Sequence, residues 1–259
     1  MPTAFILYRR CFFMQTASNK TTAERKTCVA IVPAAGSSNR MKDLGDKLFL
    51  EIDNIPIIAL TLSVLENAPE IDAIIVSTRK DMIEAIERIC QKFSISKFKK
   101  AVVGGSNRTE SVLNGIIAAE NSYDLIAIHD AARPFISQKI IKETVAAASI
   151  HKAAAPAIPM KDTIKKAEKS FIIETIPRET LIAIQTPQIF ERDIITASLK
   201  KAVTEKIPIT DDCSAVEAAG MRIFLTEGDY FNIKITTPED LIFAKAIMAH
   251  KNYNEVSIK

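Results

Sequence analysis

From Thr27 onward, short apolar runs alternate with longer stretches whose apolar positions recur at helical spacing. CVAIVP (28–33), IDAIIVST (71–78), LIAIHD (125–130) and AAAPAIP (153–159) are apolar on both faces. That is the pattern of parallel strands covered by helices on both sides. AVVGG (101–105) reads as a strand end. Residues 57–67, 80–92, 109–120 and 137–149 suit helices, and in 80–92 the apolar Met82, Ile83, Ile86 and Ile89 fall on one face. Strands and helices alternating at this spacing predict an α/β fold with an open, mostly parallel, doubly wound sheet.

The rhythm breaks at 160–180. This stretch is charged, lacks a helical face, and reads as two short polar strands around a turn near Glu168–Ser170. It predicts a β-hairpin arm at about 160–178, projecting from the sheet. The α/β order then resumes with a strand at 181–186, helices at 191–204 and 212–219, a strand at 222–226 and a helix at 238–249. Residues 1–26 stand apart. Arg9 and Arg10 interrupt their apolar stretch, which makes a poor signal-peptide core, and no acidic residue precedes Glu24. They read as a flexible extension, a transit peptide, or the consequence of a true start at Met14. The domain is expected over 27–250, followed by a tail at 251–259.

Composition adds limits. A chain of 259 residues with 47% hydrophobic and 25% charged content is long enough to bury a sizeable core without cross-links. A net charge of +3 does not argue for nucleic acid, and no apolar run reaches the roughly 18–20 residues that span a bilayer, so neither is an expected partner. Cys11, Cys28, Cys90 and Cys213 are scattered, with no C-x-x-C pair, and read as reduced thiols of a cytoplasmic protein. With only His129, His151 and His250 to join them, a zinc site is not expected. Glycine is scarce, yet three of the seven glycines are Gly36, Gly104 and Gly105, in two loops that follow strands.

The first of these loops runs Pro33-Ala34-Ala35-Gly36-Ser37-Ser38-Asn39-Arg40-Met41, with Lys47 beyond. Small residues after a first parallel strand let backbone N–H groups approach a phosphate, and Arg40 and Lys47 add charge. It lacks the glycines of a Walker A loop or a dinucleotide fingerprint, so a tight turn with two solvated cations is the alternative. Gly104-Gly105-Ser106-Asn107-Arg108-Thr109-Glu110-Ser111 opens a helix. It reads either as a surface for a base or ribose, or as a helix start capped by Thr109 or Ser111. In His129-Asp130-Ala131-Ala132-Arg133-Pro134, Asp130 stands at the carboxyl end of a strand, where open α/β sheets bind ligands. A carboxylate there suits Mg²⁺; an Asp130–Arg133 ion pair closing the loop is the alternative. His129 reads as packed or hydrogen-bonded rather than as a metal ligand.

P-A-A-G-x-x-x-R-M, H-D-A-A-R-P, T-P-Q, I-T-D and N-I-K-I-T-x-P-E-D occur in this order over about 28–250. The set resembles the 2-C-methyl-D-erythritol 4-phosphate cytidylyltransferase family of non-mevalonate isoprenoid biosynthesis. The resemblance implies a Rossmann-like nucleotidyltransferase fold, an arm-exchanged homodimer, Mg²⁺ dependence, CTP and a small phosphorylated polyol as substrates, and release of pyrophosphate. It implies that Ala34, Ala35, Gly36, Gly105 and Ser111 line the cytidine site, with Ser106 beside them where relatives often carry Asp. Arg40 and Lys47 would hold the CTP phosphates and stabilise the transition state. Asp130 would sit near the metal and the acceptor. Arg133, Thr186, Thr210 and Lys234 would surround the acceptor and the α-phosphate, with Lys234 sharing the catalytic charge. Thr163 and Arg178, on the arm, would reach the acceptor phosphate of a neighbouring subunit. Ser38 replaces a second glycine that the family often has in the first loop. A cytidylyltransferase for ribitol 5-phosphate and a non-catalytic nucleotide-binding protein on the same fold are the competing readings.

Overall fold

The computed structural model describes residues 25–36 and 47–250. The segments 1–24 and 251–259, and with them most of both expected tails, lie outside the described residues, as do Ser38 and Arg40. The first apolar run forms β1 (Cys28–Pro33). The next two form β4 (Ala73–Thr78) and β6 (Leu125–Ile128), with β5 (Phe98–Val103) between them. Every residue of β4 and β6 is buried. β6, β1, β4 and β5 pair in parallel.

Alternate residues of these strands feed two cores. Cys28, Ala30, Val32, Ile74, Val76 and Ala127 face one layer, built by α1 (Ile57–Glu66), α2 (Ile83–Lys92) and α4 (Gln138–His151). Val29, Ile31, Ala73, Ile75 and Ile126 face the other. Its helices are α3 (Arg108–Ala118), α5 (Arg192–Thr204) and α6 (Asp212–Ala218). This is a Rossmann-like doubly wound sheet, and its unbroken apolar strands follow from burial on both faces at about 1.5–3 kcal/mol per large aliphatic side chain.

The rest of the sheet differs from the expectation. The run expected as one strand at 181–186 gives only β10 (Ile182–Ile184), and a further strand, β11 (Gln188–Glu191), follows the cis Thr186–Pro187 bond. Both run antiparallel to β7 (Ala153–Pro159), and β11 is wedged between β7 and β6. β12 (Phe224–Glu227) pairs in parallel with β7. A short hairpin of β2 (Glu51–Ile52) and β3 (Ile55–Pro56) was not expected either. Its turn puts Asp53 and Asn54 at φ 52° and 64°, which suits short polar side chains in a two-residue hairpin turn. Ile52 joins Ile57, Phe135, Ile235 and Ile247 in a third core under α7 (Pro238–His250), and this core fixes the backbone beside Lys234.

The arm forms as a two-stranded hairpin, β8 (Ile164–Glu168) and β9 (Phe171–Ile176), turning at Lys169–Ser170. Its strands pair only with each other, and Phe171, Ile172 and Ile173 are exposed. No described helix is long and apolar enough to cross a membrane.

Cys28, Cys90 and Cys213 are buried free thiols. Burial pushes the Cys90 thiol up to about 12, and raises those of Cys28 and Cys213 further. Only the thiolate reacts with common thiol reagents. All three are therefore expected to stay unlabelled in the native protein at about pH 8 and to react fully in denaturant. Mass mapping checks this, and native labelling at any of the three would contradict the packing described.

Candidate active site

The carboxyl ends of β1, β5 and β6 open into one cleft of about 460 Å³. Ala34, Ala35 and Gly36 leave β1 along one wall. The Ala34 N–H donates to the Ser77 carbonyl (2.7 Å), and the Gly104 N–H to the Thr78 carbonyl (2.8 Å), which draws the two loops together. A Cβ at Gly104 would lie 2.7 Å from the Cβ of Ala35 and from Ser111 Oγ, so glycine is what permits the approach.

Gly105, Ser106 and Ser111 line the opposite wall. The Gly105 N–H donates to Ser111 Oγ (3.1 Å), which in turn donates to the Asn107 carbonyl (2.8 Å). The helix cap is Asn107, accepting from the Glu110 N–H (2.9 Å), and neither Thr109 nor Ser111 takes that place. Glu110 accepts from both the N–H and the hydroxyl of Ser106 at 2.8 Å each. A carboxylate thus still stands beside this loop, four residues beyond Ser106.

Asp130 sits on the floor, nearly buried, among three cations. Lys234 Nζ lies 3.0 Å and Arg133 Nε 3.2 Å from Oδ2, and Arg108 is 3.6 Å from Oδ1. Burial alone would raise this carboxyl, but Lys234, Arg108 and Arg133 hold it well below the usual carboxylate range. The Asp130–Arg133 pair therefore forms, as one part of a larger cluster.

The neighbouring polar residues hold this cluster in place. Burial pushes the His129 imidazole down to about 4, so it is neutral at pH 7. Its Nε2 faces the Arg133 carbonyl (3.1 Å), which can only accept, so the ring proton is assigned to Nε2. Nδ1 then accepts from the Thr186 hydroxyl (3.1 Å), whose oxygen accepts the Asp130 N–H (3.1 Å). Asn232 donates to the Thr186 carbonyl (3.0 Å), and Arg133 donates to the Asn232 carbonyl (2.7 Å). The Ile235 N–H donates to the Ala132 carbonyl (2.9 Å), and Lys47 Nζ donates to the Ile235 carbonyl (3.3 Å). These bonds bring Lys47 and Lys234, 187 positions apart in sequence, to one rim.

Ala34, Ala35, Gly36, Lys47, Gly105, Ser106, Ser111, Asp130 and Lys234 thus meet in one cleft. Arg133 and Thr186 lie behind Asp130. Thr210 does not join them; it lines a second hollow beside Asp211 and Met221. Thr163 and Arg178 are exposed on the arm, away from the cleft of their own chain, and Arg178 donates to the Lys161 carbonyl (2.8 Å). Among the described residues no group of three His, Cys, Asp or Glu is gathered to hold a metal. Among the described residues Asp130 is the single carboxylate lining the cleft, and its Oδ1 has only the longer contact to Arg108. That donor set fits a divalent cation held by one carboxylate and by substrate phosphates, and does not fit an all-protein metal cage.

The family model described as 2-C-methyl-D-erythritol 4-phosphate cytidylyltransferase matches residues 28–250. The chain belongs to this family. Proteins of that name from Halalkalibacterium halodurans and from a Clostridium botulinum strain are 42% and 43% identical to it. These alignments cover 85% and 84% of this chain and 96% of each relative. The solved 4-diphosphocytidyl-2C-methyl-D-erythritol synthase of Anaerococcus prevotii superposes with a TM-score of 0.78 at 32% identity, covering 87% of this chain and 97% of the other. The Thermus thermophilus cytidylyltransferase gives 0.71 at 28% identity, covering 86% and 99%.

Within this cytidylyltransferase architecture, sequence reasoning gave no role to three residues of the site. Arg108 lines the cleft and is paired at 2.7 Å with the buried Asp212, 104 positions away. Asn232 is fully buried at the base of the Lys234 loop. Arg108 stood in a string already singled out, but nothing local marks its partner.

Proposed function

We propose that the chain transfers CMP from CTP to 2-C-methyl-D-erythritol 4-phosphate. One observation carries this reading: Lys47, Arg108 and Lys234 line a cleft whose single lining carboxylate among the described residues is Asp130. Such a cleft favours a polyanion. The acceptor phosphate has a second pKa of about 6 and is already a dianion at neutral pH, so no general base is needed. One of its oxygens bonds to the α-phosphorus of CTP, the bond to the β-phosphate oxygen breaks, and pyrophosphate leaves with that electron pair. The obstacle is bringing two anions into line, so positioning and fixed positive charge dominate.

Ala34, Ala35, Gly36, Gly105, Ser106 and Ser111 take the cytidine and the near phosphates. Lys47, with Arg40, meets the triphosphate, and Lys234 meets the charge that develops on the α-phosphoryl group. Asp130 holds a divalent cation, Mg²⁺ in our reading, which when bound neutralises phosphate charge. His129, Arg133 and Thr186 keep Asp130 in place. Thr163 and Arg178 serve the acceptor phosphate of a second copy through an arm-exchanged homodimer. The exposed Phe171, Ile172 and Ile173 support that arrangement, because a hairpin this small cannot bury them itself. Thr210 does not line this cleft, and no acceptor role is assigned to it.

A pyrophosphate-release assay tests the reading. Release is expected only when CTP, a divalent cation and methylerythritol phosphate are all present. Turnover with ribitol 5-phosphate and none with methylerythritol phosphate would transfer the assignment to that acceptor. No turnover with either, alongside CTP binding, would favour a non-catalytic nucleotide-binding protein.

A further inference from the structure

Asp212 is fully buried, lines neither the cleft nor the hollow beside Thr210, and carries a charge-bearing side chain all the same. Its Oδ2 accepts from Arg108 at 2.7 Å, while Oδ1 has no hydrogen-bond partner. A buried ion pair gives back little net stability after desolvation, and one with a bare oxygen gives less. The backbone around Asp212 is nonetheless held firmly. Gln188 on β11 donates to Asp211 Oδ2 (2.7 Å) and accepts the Cys213 N–H (3.0 Å), gripping the residue on each side. Asp211 and Ser214 add a reciprocal capping box at the same turn.

This anchoring ends at Arg108. Its guanidinium stands between two carboxylates, 2.7 Å from Asp212 and 3.6 Å from Asp130, and part of it faces the cleft beside Gly105 and Ser106. Without the closer, buried carboxylate, the guanidinium would be drawn onto Asp130, the only other carboxylate within 4 Å of it among the described residues. We propose that Arg108 is a further nucleotide-binding cation of the cleft and that Asp212 is the positioning residue that holds it there. The role of Asp212 runs through Arg108 alone. The proposal rests on the reading of this cleft as the nucleotide site.

Calorimetric titration with CTP tests it on four proteins: wild type, Asp212→Asn, Arg108→Gln and the double variant. Asn keeps the shape and one acceptor but removes the charge. Asp212→Asn is expected to weaken CTP binding about tenfold, the scale of one charge-assisted hydrogen bond. In the Arg108→Gln background the same change is expected to have no further effect. In steady-state assays the KM for CTP rises while the KM for the acceptor stays within about twofold, a split that loosened packing would not give. An equal loss in both backgrounds, or no loss, overturns the proposal and leaves the cytidylyltransferase reading intact. Failure of the wild type to bind CTP overturns the reading of the cleft itself. Should Asp212→Asn not fold, Arg108→Gln decides alone, and unchanged CTP affinity in that variant sinks the proposal.

Discussion

Replacing Lys234 with alanine is expected to lower kcat by about 10²–10³, the scale seen when one preorganised electrostatic group is removed from an active site. The ammonium lies 3.0 Å from Asp130 on a loop held by Asn232 and by the Ile235–Ala132 backbone bond, so its position is set before any substrate arrives. Its charge matters most as negative charge builds on the α-phosphoryl group. Losses of that kind fall on kcat more than on KM. A second consequence follows from Asp130, which loses one of three neighbouring cations and keeps Arg133 and Arg108. Steady-state kinetics by pyrophosphate release checks the prediction, with a thermal melt to confirm folding. A wild-type kcat in the folded variant would remove Lys234 from the transition state.

The sheet and the first-loop cradle were legible because their causes are local. β1, β4 and β6 are largely apolar runs since both faces are covered, and five residues of β1, six of β4 and four of β6 are buried in succession. The arm was legible because charge and period change together at 160. β11 was hidden by Pro187, which reads as a break, whereas the chain continues past it into a new strand between β6 and β7. The β2–β3 hairpin has two-residue strands, too short for any period to register. In the site, Gly104 was legible as a close approach, but its partners Ala35 and Ser111 come from different elements. Thr186 was placed near the acceptor by its motif. Its hydroxyl also accepts the Asp130 N–H and faces His129 Nδ1, partners that only the fold brings together. The Arg108–Asp212 pair is the clearest case of what sequence withholds. Each residue looks like an ordinary surface charge, and only the meeting of α3 with α6 makes one a buried anchor for the other.

Mixing two inactive variants is expected to restore activity if the arm works in trans. Lys234→Ala damages the cleft, and Arg178→Ala damages the arm. Arg178 sits at the root of the arm, exposed, donating to the Lys161 carbonyl and paired with Glu179, and does not line the cleft of its own chain, so it can serve another copy. A planar fork suits a phosphate monoester better than a lysine does, which makes Arg178→Ala a loss chiefly of acceptor binding. Each homodimer then has every site impaired. After joint refolding in equal amounts, random pairing makes about half of the dimers mixed, each with one doubly damaged site and one intact one, so activity recovers to roughly a quarter of wild type. If Arg178 serves its own subunit, every site in every dimer carries one defect and mixing restores nothing. Subunit exchange is verified separately with differently tagged chains. Confirmed exchange without recovery would end the shared-site model, while pyrophosphate release by the wild type would still stand as evidence for the transfer itself.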